Sequence, residues 1–107
     1  MNNMQQLFKQ AQKLQEKLTK AQSELEFKEV VGSSGAGLIN VTTTLKGIIK
    51  NISIDKTLIN PDEKDILEDL IVAALNDAKS KADIMFEEGM KEASGGMDLS
   101  KLGSGLF

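Results

Sequence analysis

The first quarter of the chain has a regular pattern of apolar and polar positions that is typical of a helix. Apolar residues recur at intervals of three and four, and nearly every position between them is polar. The stripe is narrow, which suits a helix that pairs with one other helix better than a helix on a broad core. Because no Gly or Pro interrupts it, the pattern predicts one helix over residues 4–25. The stripe consists of Met4, Leu7, Ala11, Leu14, Leu18, Ala21 and Leu25.

Three short segments with strand-like composition follow. Residues 25–31, 38–44 and 48–54 are rich in Val, Ile, Phe and Thr, which favour an extended backbone. A Gly/Ser-rich hexamer at residues 32–37 joins the first two segments, and Lys46-Gly47 joins the last two. Short turns between strands predict a three-stranded antiparallel meander, and the helices must cover one of its faces.

A second helix is expected after Asn60. Asn is a preferred N-cap residue, Pro61 suits the first helical position, and the acids that follow complement the helix dipole. Apolar residues then line one side of the segment, and Gly89 is a plausible end. The predicted order is α-β-β-β-α, an α+β fold in which two long helices flank the meander. We expect this domain to span residues 1–93 and a flexible Gly/Ser-rich tail to span residues 94–107.

The composition excludes several classes of chemistry. The 107 residues include no Cys and no His, which excludes a zinc site of the usual kind, a thiolate nucleophile and an imidazole base. The N-terminus does not have the features of a secretory signal, and no window approaches the roughly 18 apolar residues of a membrane span. Acidic residues cluster at the start of the second helix, where the helix dipole accounts for them and no nucleophile accompanies them. We therefore expect a soluble, cytoplasmic, non-enzymatic protein without metal, cofactor, membrane or small-molecule substrate.

The hexamer Gly-Ser-Ser-Gly-Ala-Gly at residues 32–37 has the composition of a phosphate-binding loop. A P-loop, however, ends in a Lys-Ser/Thr pair and leads into a helix, whereas this hexamer leads into a strand. A dinucleotide-binding loop is excluded for the same reason. We interpret the hexamer as a hairpin turn whose glycines supply positive φ.

Basic residues are concentrated on the first helix. The net charge is −3, yet residues 1–28 carry five lysines and three glutamates, whereas residues 61–107 carry five lysines and eleven acids. At about 100° per residue, four lysines of the first helix fall within an arc of roughly 80° opposite the apolar stripe. Taken alone, such an arc is more often a solvated surface than a nucleic-acid site. The four are Lys9, Lys13, Lys17 and Lys20.

Three segments, in this order, resemble the YbaB/EbfC family of bacterial nucleoid-associated proteins. They are the Gln/Lys-rich heptad helix at 4–25, the hexamer and its following strand at 32–42, and residues 52–82. In the last segment a strand ending in Ile-Asp precedes a helix with an Ala-Ala-x-Asn-Asp-Ala run. The resemblance implies a homodimer whose sheets meet at its centre and whose helices project as tweezer-like arms. It also implies binding to double-stranded DNA with little or modest sequence preference, in a role that organises the nucleoid and affects gene expression.

The resemblance also implies which side chains contact DNA, namely basic residues on the two helices. Because the chain has no Arg, these contacts are expected to be with phosphates and to be strongly salt-dependent. The acidic second helix is a departure that weakens the expected DNA-binding surface. A hypothesis from a different class is a non-catalytic protein-interaction or chaperone-like clamp that uses the helical arms. The expected DNA contacts are Lys9, Lys13, Lys17, Lys20, Lys79 and Lys81.

Overall fold

The computed structural model describes residues 2–95 and confirms the predicted α-β-β-β-α order. Helix α1 is followed by three strands, two short 3-10 turns and the long helix α2. The strands form one antiparallel sheet in the order β1-β2-β3, so the predicted meander is confirmed as well. The elements are α1 Asn2–Glu26, β1 Glu29–Ser34, β2 Ile39–Thr44, β3 Ile49–Ile54, the 3-10 turns Lys56–Leu58 and Pro61–Glu63, and α2 Lys64–Ala93.

Helix α2 packs across β1 and β2 through a row of small residues. Ala74 and Ala78 are fully buried against Ile39 and Val41 of β2. Gly32 of β1 allows an even closer approach, because a Cβ atom at this position would lie 2.5 Å from the Cα atom of Ala78. Because Gly32 has no side chain and Ala78 has a small one, the backbones of α2 and β1 are in close contact at this point.

The hexamer at residues 32–37 divides between a strand and a turn. Strand β1 continues through Ser34, and only Gly35, Ala36 and Gly37 have positive φ, between 57° and 89°. The expectation that all six residues form the turn is therefore wrong for the first three. The reason is tertiary, because α2 packs against the backbone of Gly32 and holds that part of the hexamer in the sheet.

Strand β3 lies outside the cover that α2 provides. By register, Val41 is opposite Ile52 and Thr43 is opposite Ile49, so these isoleucines lie on the same side of the sheet as α2. A bulge between Thr42 and Thr43 puts Ile49 on this side, whereas regular alternation along the strand from Ile52 would put Ile48 there. Ile49 and Ile52 remain 51% and 42% exposed, so the single chain leaves this edge of its core uncovered.

Helix α1 is anchored at its C-terminal end. Leu25 is buried with Val30 and Leu45, and Phe86 and Met90 of α2 pack against this cluster. The helix therefore includes Leu25, which the sequence pattern placed both at the end of the helix and at the start of the first strand, and also Glu26, which it placed in the strand. From Leu25 toward the N-terminus, the apolar stripe of α1 becomes progressively exposed. The molecule is elongated and measures 74 × 25 × 16 Å. The greater part of α1 is thus an arm that extends from the sheet.

Helix α2 continues through Gly89 and ends four residues later, at Ala93. At Gly89 the absent side chain makes room for Leu25, since a Cβ atom there would lie 2.5 Å from the Cδ2 atom of Leu25. This glycine therefore serves helix packing rather than helix termination. Ser94 and Gly95 form the closing turn, and the remainder of the predicted 94–107 tail lies outside the described residues.

Candidate nucleic-acid interface

The four lysines predicted on α1 are all exposed on the projecting arm. Between residues 2 and 95 the structure has two salt bridges, and neither involves these lysines. Glu16 and Lys20 have the i,i+4 spacing of an ion pair, but neither of the two salt bridges joins them. Heptad positions place Lys9, Lys13 and Lys20 away from the apolar stripe and Lys17 beside it. The four ammonium groups are therefore available to an external anion.

The arm and the base of the molecule differ in charge. Between residues 2 and 21, Glu16 is the one acid among four lysines. At the other end of α1, Glu26 faces a groove of about 780 Å³ whose lining carries four acids, Glu26 included, against two lysines, so its net charge is negative. A polyanion would be attracted to the arm and repelled from this groove. The span from Lys9 to Lys20 is about 16 Å, roughly half a turn of B-DNA.

Lys79 and Lys81, the two lysines predicted on α2, do not lie together. They project about 160° apart around the helix axis, Lys79 beside the groove that Val41 and Ile49 line and Lys81 above β1. Lys81 Nζ lies 2.9 Å from Asp77 Oδ2 and donates a hydrogen bond to the carbonyl oxygen of Val31 at 3.3 Å. The Lys81 ammonium group thus links α2 to the sheet, whereas the Lys79 ammonium group forms no hydrogen bond or ion pair within residues 2–95.

Asp77 completes this link between α2 and β1. The backbone N–H of Ser33 donates to Asp77 Oδ2 at 2.9 Å. Because Gly32 pairs with Val41, the backbone carbonyl of Val31 and the backbone N–H of Ser33 point away from β2, toward the outer edge of the sheet. Asp77 and Lys81 occupy the positions that an added strand would need, and so they protect this edge. Sequence spacing could have indicated the i,i+4 ion pair, but not its contact with β1.

The environment of Asp77 predicts a pH-dependent contribution to stability. The hydrogen bond from Ser33, and then Lys81, lower the pKa of Asp77 below its ordinary value of 3.8. A lowered pKa stabilises the fold above the unfolded-state value, and this contribution is lost as pH falls through the folded-state value. We expect Asp77→Asn to lower the free energy of unfolding at neutral pH, and this deficit to shrink below about pH 4.

Urea unfolding at several pH values measures this effect. Asp83→Asn is the matched control, because Asp83 is an exposed acid of the same helix without an ion pair among the described residues. Asp55, whose pKa the Thr57 hydroxyl lowers, is present in both variants and cancels from the comparison. A deficit for Asp77→Asn that stayed constant between neutral pH and about pH 3 would contradict the assignment.

Comparison with known proteins decides the family. The model of the YbaB/EbfC DNA-binding family matches residues 1–97. The chain belongs to this family. Nucleoid-associated proteins of Rhodospirillum rubrum and Methylocella silvestris are each 48% identical to it over 99 residues, which is 92% of this chain and 92% of each relative. A nucleoid-associated protein of Nitrobacter hamburgensis is 48% identical over 93 residues. The resemblance of the three sequence segments to YbaB/EbfC proteins is thus confirmed.

A solved structure has a similar fold. The crystal structure of an uncharacterized protein from Helicobacter pylori superposes with a TM-score of 0.64, covering 78% of this chain and 88% of the other. Its sequence identity is only 18%, so the likeness concerns the fold alone. Within residues 2–95, no cluster of three or more acidic side chains is placed to hold a metal ion. No helix in that range is long and apolar enough to cross a membrane.

Proposed function

We propose that this YbaB/EbfC protein is a homodimer that binds double-stranded DNA through the lysines of its α1 arms. The observation that carries the proposal is the free, exposed row of four lysines on an arm that projects from the sheet. Binding involves no catalysis and has little or modest sequence preference. It serves nucleoid organisation and gene regulation in the cytoplasm.

The chemistry of lysine determines how this binding behaves. An ammonium group contacts phosphate as a point charge and is poorly suited to bidentate recognition of base edges. Affinity therefore comes from neutralising phosphates and releasing counterions, and it falls steeply with salt. Two arms with four lysines each could contact about eight phosphates, for which the slope of log K against log salt is about −7.

The uncovered side of β3 supports dimerisation. Ile49 and Ile52 are half exposed on the side of the sheet that α2 covers, and Ile49 and Leu75 of α2 line a mostly apolar groove there. The outer edge of β3 is also free, whereas Asp77 and Lys81 protect the outer edge of β1. A second copy packed about a two-fold axis would bury the isoleucines of both chains. We therefore place the dimer interface at β3.

Two measurements test the two parts of the proposal. Light scattering is expected to give the purified protein twice the 11.6 kDa mass of one chain. Fluorescence anisotropy with a labelled duplex of about 30 base pairs, three helical turns, is expected to show binding that weakens about ten-thousandfold between about 50 and 200 mM salt. A monomer at micromolar concentration would overturn the dimer, and absence of duplex binding at low salt would overturn the DNA-binding function.

A second candidate function is favoured by the exposed apolar stripe of α1. Met4 and Leu7 are 79% and 64% exposed, which is unusual for a row of large apolar side chains. A clamp that holds protein partners with this stripe would bind through apolar contacts. Such binding would persist at high salt, where phosphate contacts are lost, so the salt dependence of partner binding separates the two functions.

A further inference from the structure

The apolar stripe of α1 has no use in the DNA-binding function proposed above. Leu25, its last member, is buried at the anchor, and Leu18 and Ala21 are half-buried. From Leu14 toward the N-terminus the stripe is exposed, at 36% for Leu14 and 64% for Leu7. A strict heptad stripe of this kind is the seam of a two-stranded coiled coil. The available seam runs over residues 4–21.

We infer that this seam pairs with the seam of a second dimer in an antiparallel two-helix coiled coil. The partner helix is another copy of α1, and the resulting assembly of two dimers can hold two DNA duplexes. The inference rests on the proposed function for its dimer and its DNA, but the seam itself is independent of both.

The seam is complementary to itself when two copies run in opposite directions. In one register Leu7 faces Leu18, and all available a and d positions then meet in a–d layers. Two of every three layers set a large side chain against alanine, which keeps the layer volumes even. The facing pairs are Met4 with Ala21, Leu7 with Leu18, and Ala11 with Leu14, each formed twice.

Parallel pairing is less suitable for two reasons. It would place Ala11 against Ala11 and Ala21 against Ala21, leaving gaps between layers of paired leucines. It would also bring two folded bodies to the same end of the coiled coil, because α1 enters the sheet-bearing body at Glu26. Antiparallel pairing keeps the two bodies at opposite ends.

The flanking positions are compatible with the antiparallel register. Gln10 of one helix faces Lys17 of the other, and Phe8 faces Gln15, so no like charges are opposed at the seam. The paired arms nevertheless repel through their excess of lysines. Phosphates or salt would screen this repulsion. Lys9, Lys13 and Lys20 point away from the seam and stay available to DNA, so we expect duplex binding to promote the pairing.

The test replaces seam leucines without changing charge. The variant Leu7→Gln with Leu14→Gln removes one a–d partner from most layers, and both positions are exposed enough for the fold to tolerate glutamine. Its control is Gln5→Ala with Gln12→Ala, a pair with the same seven-residue spacing on the outer side of α1. In the bridging assay, an immobilised duplex captures a second, fluorescent duplex through the protein.

We expect the wild type and the control to bridge duplexes, and the leucine variant to lose bridging about tenfold or more. Its affinity for a single duplex is expected to change less than about twofold, because no lysine is altered. Undiminished bridging by the leucine variant would overturn the inference. So would conversion of that variant to a monomer, which would make the seam the interface of the dimer itself.

Sedimentation without DNA keeps the inference testable if the DNA-binding function fails. At about 0.5 M salt, where the repulsion between lysines is screened, the wild type is expected to form a four-chain species that the leucine variant does not form. A wild type that stays dimeric at high protein concentration under these conditions would refute the seam pairing. Absence of DNA binding together with the four-chain species would refute only the proposed function.

Discussion

Replacing the four α1 lysines by glutamine is expected to lower the affinity for duplex DNA by about a hundredfold or more at low salt. Glutamine keeps the side-chain length and the helix propensity but removes the charge that neutralises phosphate. Each lost contact also reduces the slope of log K against log salt by about one, so the variant should bind with little salt dependence. The replaced residues are Lys9, Lys13, Lys17 and Lys20.

A control with the same total charge separates local contacts from net charge. Four exposed lysines near the sheet, outside the arm, can be replaced by glutamine with the same change in charge. We expect this variant to keep most of the affinity and most of the slope of log K against log salt. The attraction between a lysine and a phosphate is largely screened beyond a Debye length of about 10 Å, so lysines far from the DNA contribute little. Equal losses in the two variants would assign the binding to overall charge and not to the arm. The control residues are Lys28, Lys56, Lys64 and Lys91.

The second large effect is expected in stability, from Gly32→Ala. The added Cβ atom would lie 2.5 Å from Cα and 2.6 Å from Cβ of Ala78, and backbone atoms cannot move aside as a flexible side chain can. Helix α2 would have to move away from β1, which opens the cluster of Ile39 and Val41. We expect a loss of about 3 kcal/mol or more, a large part of the stability of a domain of this size.

Urea unfolding measures this loss, and the neighbouring residue provides the control. Ser33 lies next to Gly32, points to the other side of the sheet, and contacts α2 through its backbone N–H, which alanine keeps. Ser33→Ala is therefore expected to change the free energy of unfolding by no more than about 0.5 kcal/mol. Similar unfolding midpoints for Gly32→Ala and Ser33→Ala would show that α2 does not pack on β1 as closely as described.

Local signals were sufficient for the element order. The heptad spacing of α1 and the β-branched segments predict their elements from near neighbours in sequence, and these elements were confirmed. Asn60 is an N-cap, but it caps the 3-10 turn Pro61–Glu63, and α2 begins after that turn, at Lys64. The boundaries depend on more distant contacts. The first strand begins at Glu29 and not at residue 25, because Leu25 packs against Gly89 as part of α1, and the first half of the hexamer belongs to β1 because Ala78 packs on Gly32. Neither partner is close in sequence, so periodicity and turn propensity could not locate these boundaries.

The site divides in the same way. Four lysines on one helix share a face whatever the rest of the chain does, since helix geometry alone sets their angles. Whether that helix lies on a core or extends into solvent depends on its tertiary contacts. Only the folded chain shows that α1 is buried at Leu25 and exposed toward its N-terminus. Lys79 and Lys81 are close in sequence but not in direction, because side chains two residues apart project from nearly opposite sides of a helix.

Sequence alone thus established the family, the element order and the basic side of α1, because each of these depends on residue type and short-range spacing. Tertiary packing assigned Lys81 to a structural link with Asp77 and Val31, left the α1 lysines free, and left Ile49 and Ile52 uncovered. These outcomes depend on where α2 crosses the sheet. The close contact of Gly32 with Ala78 sets that crossing, and no local pattern encodes a contact between residues so far apart in the chain.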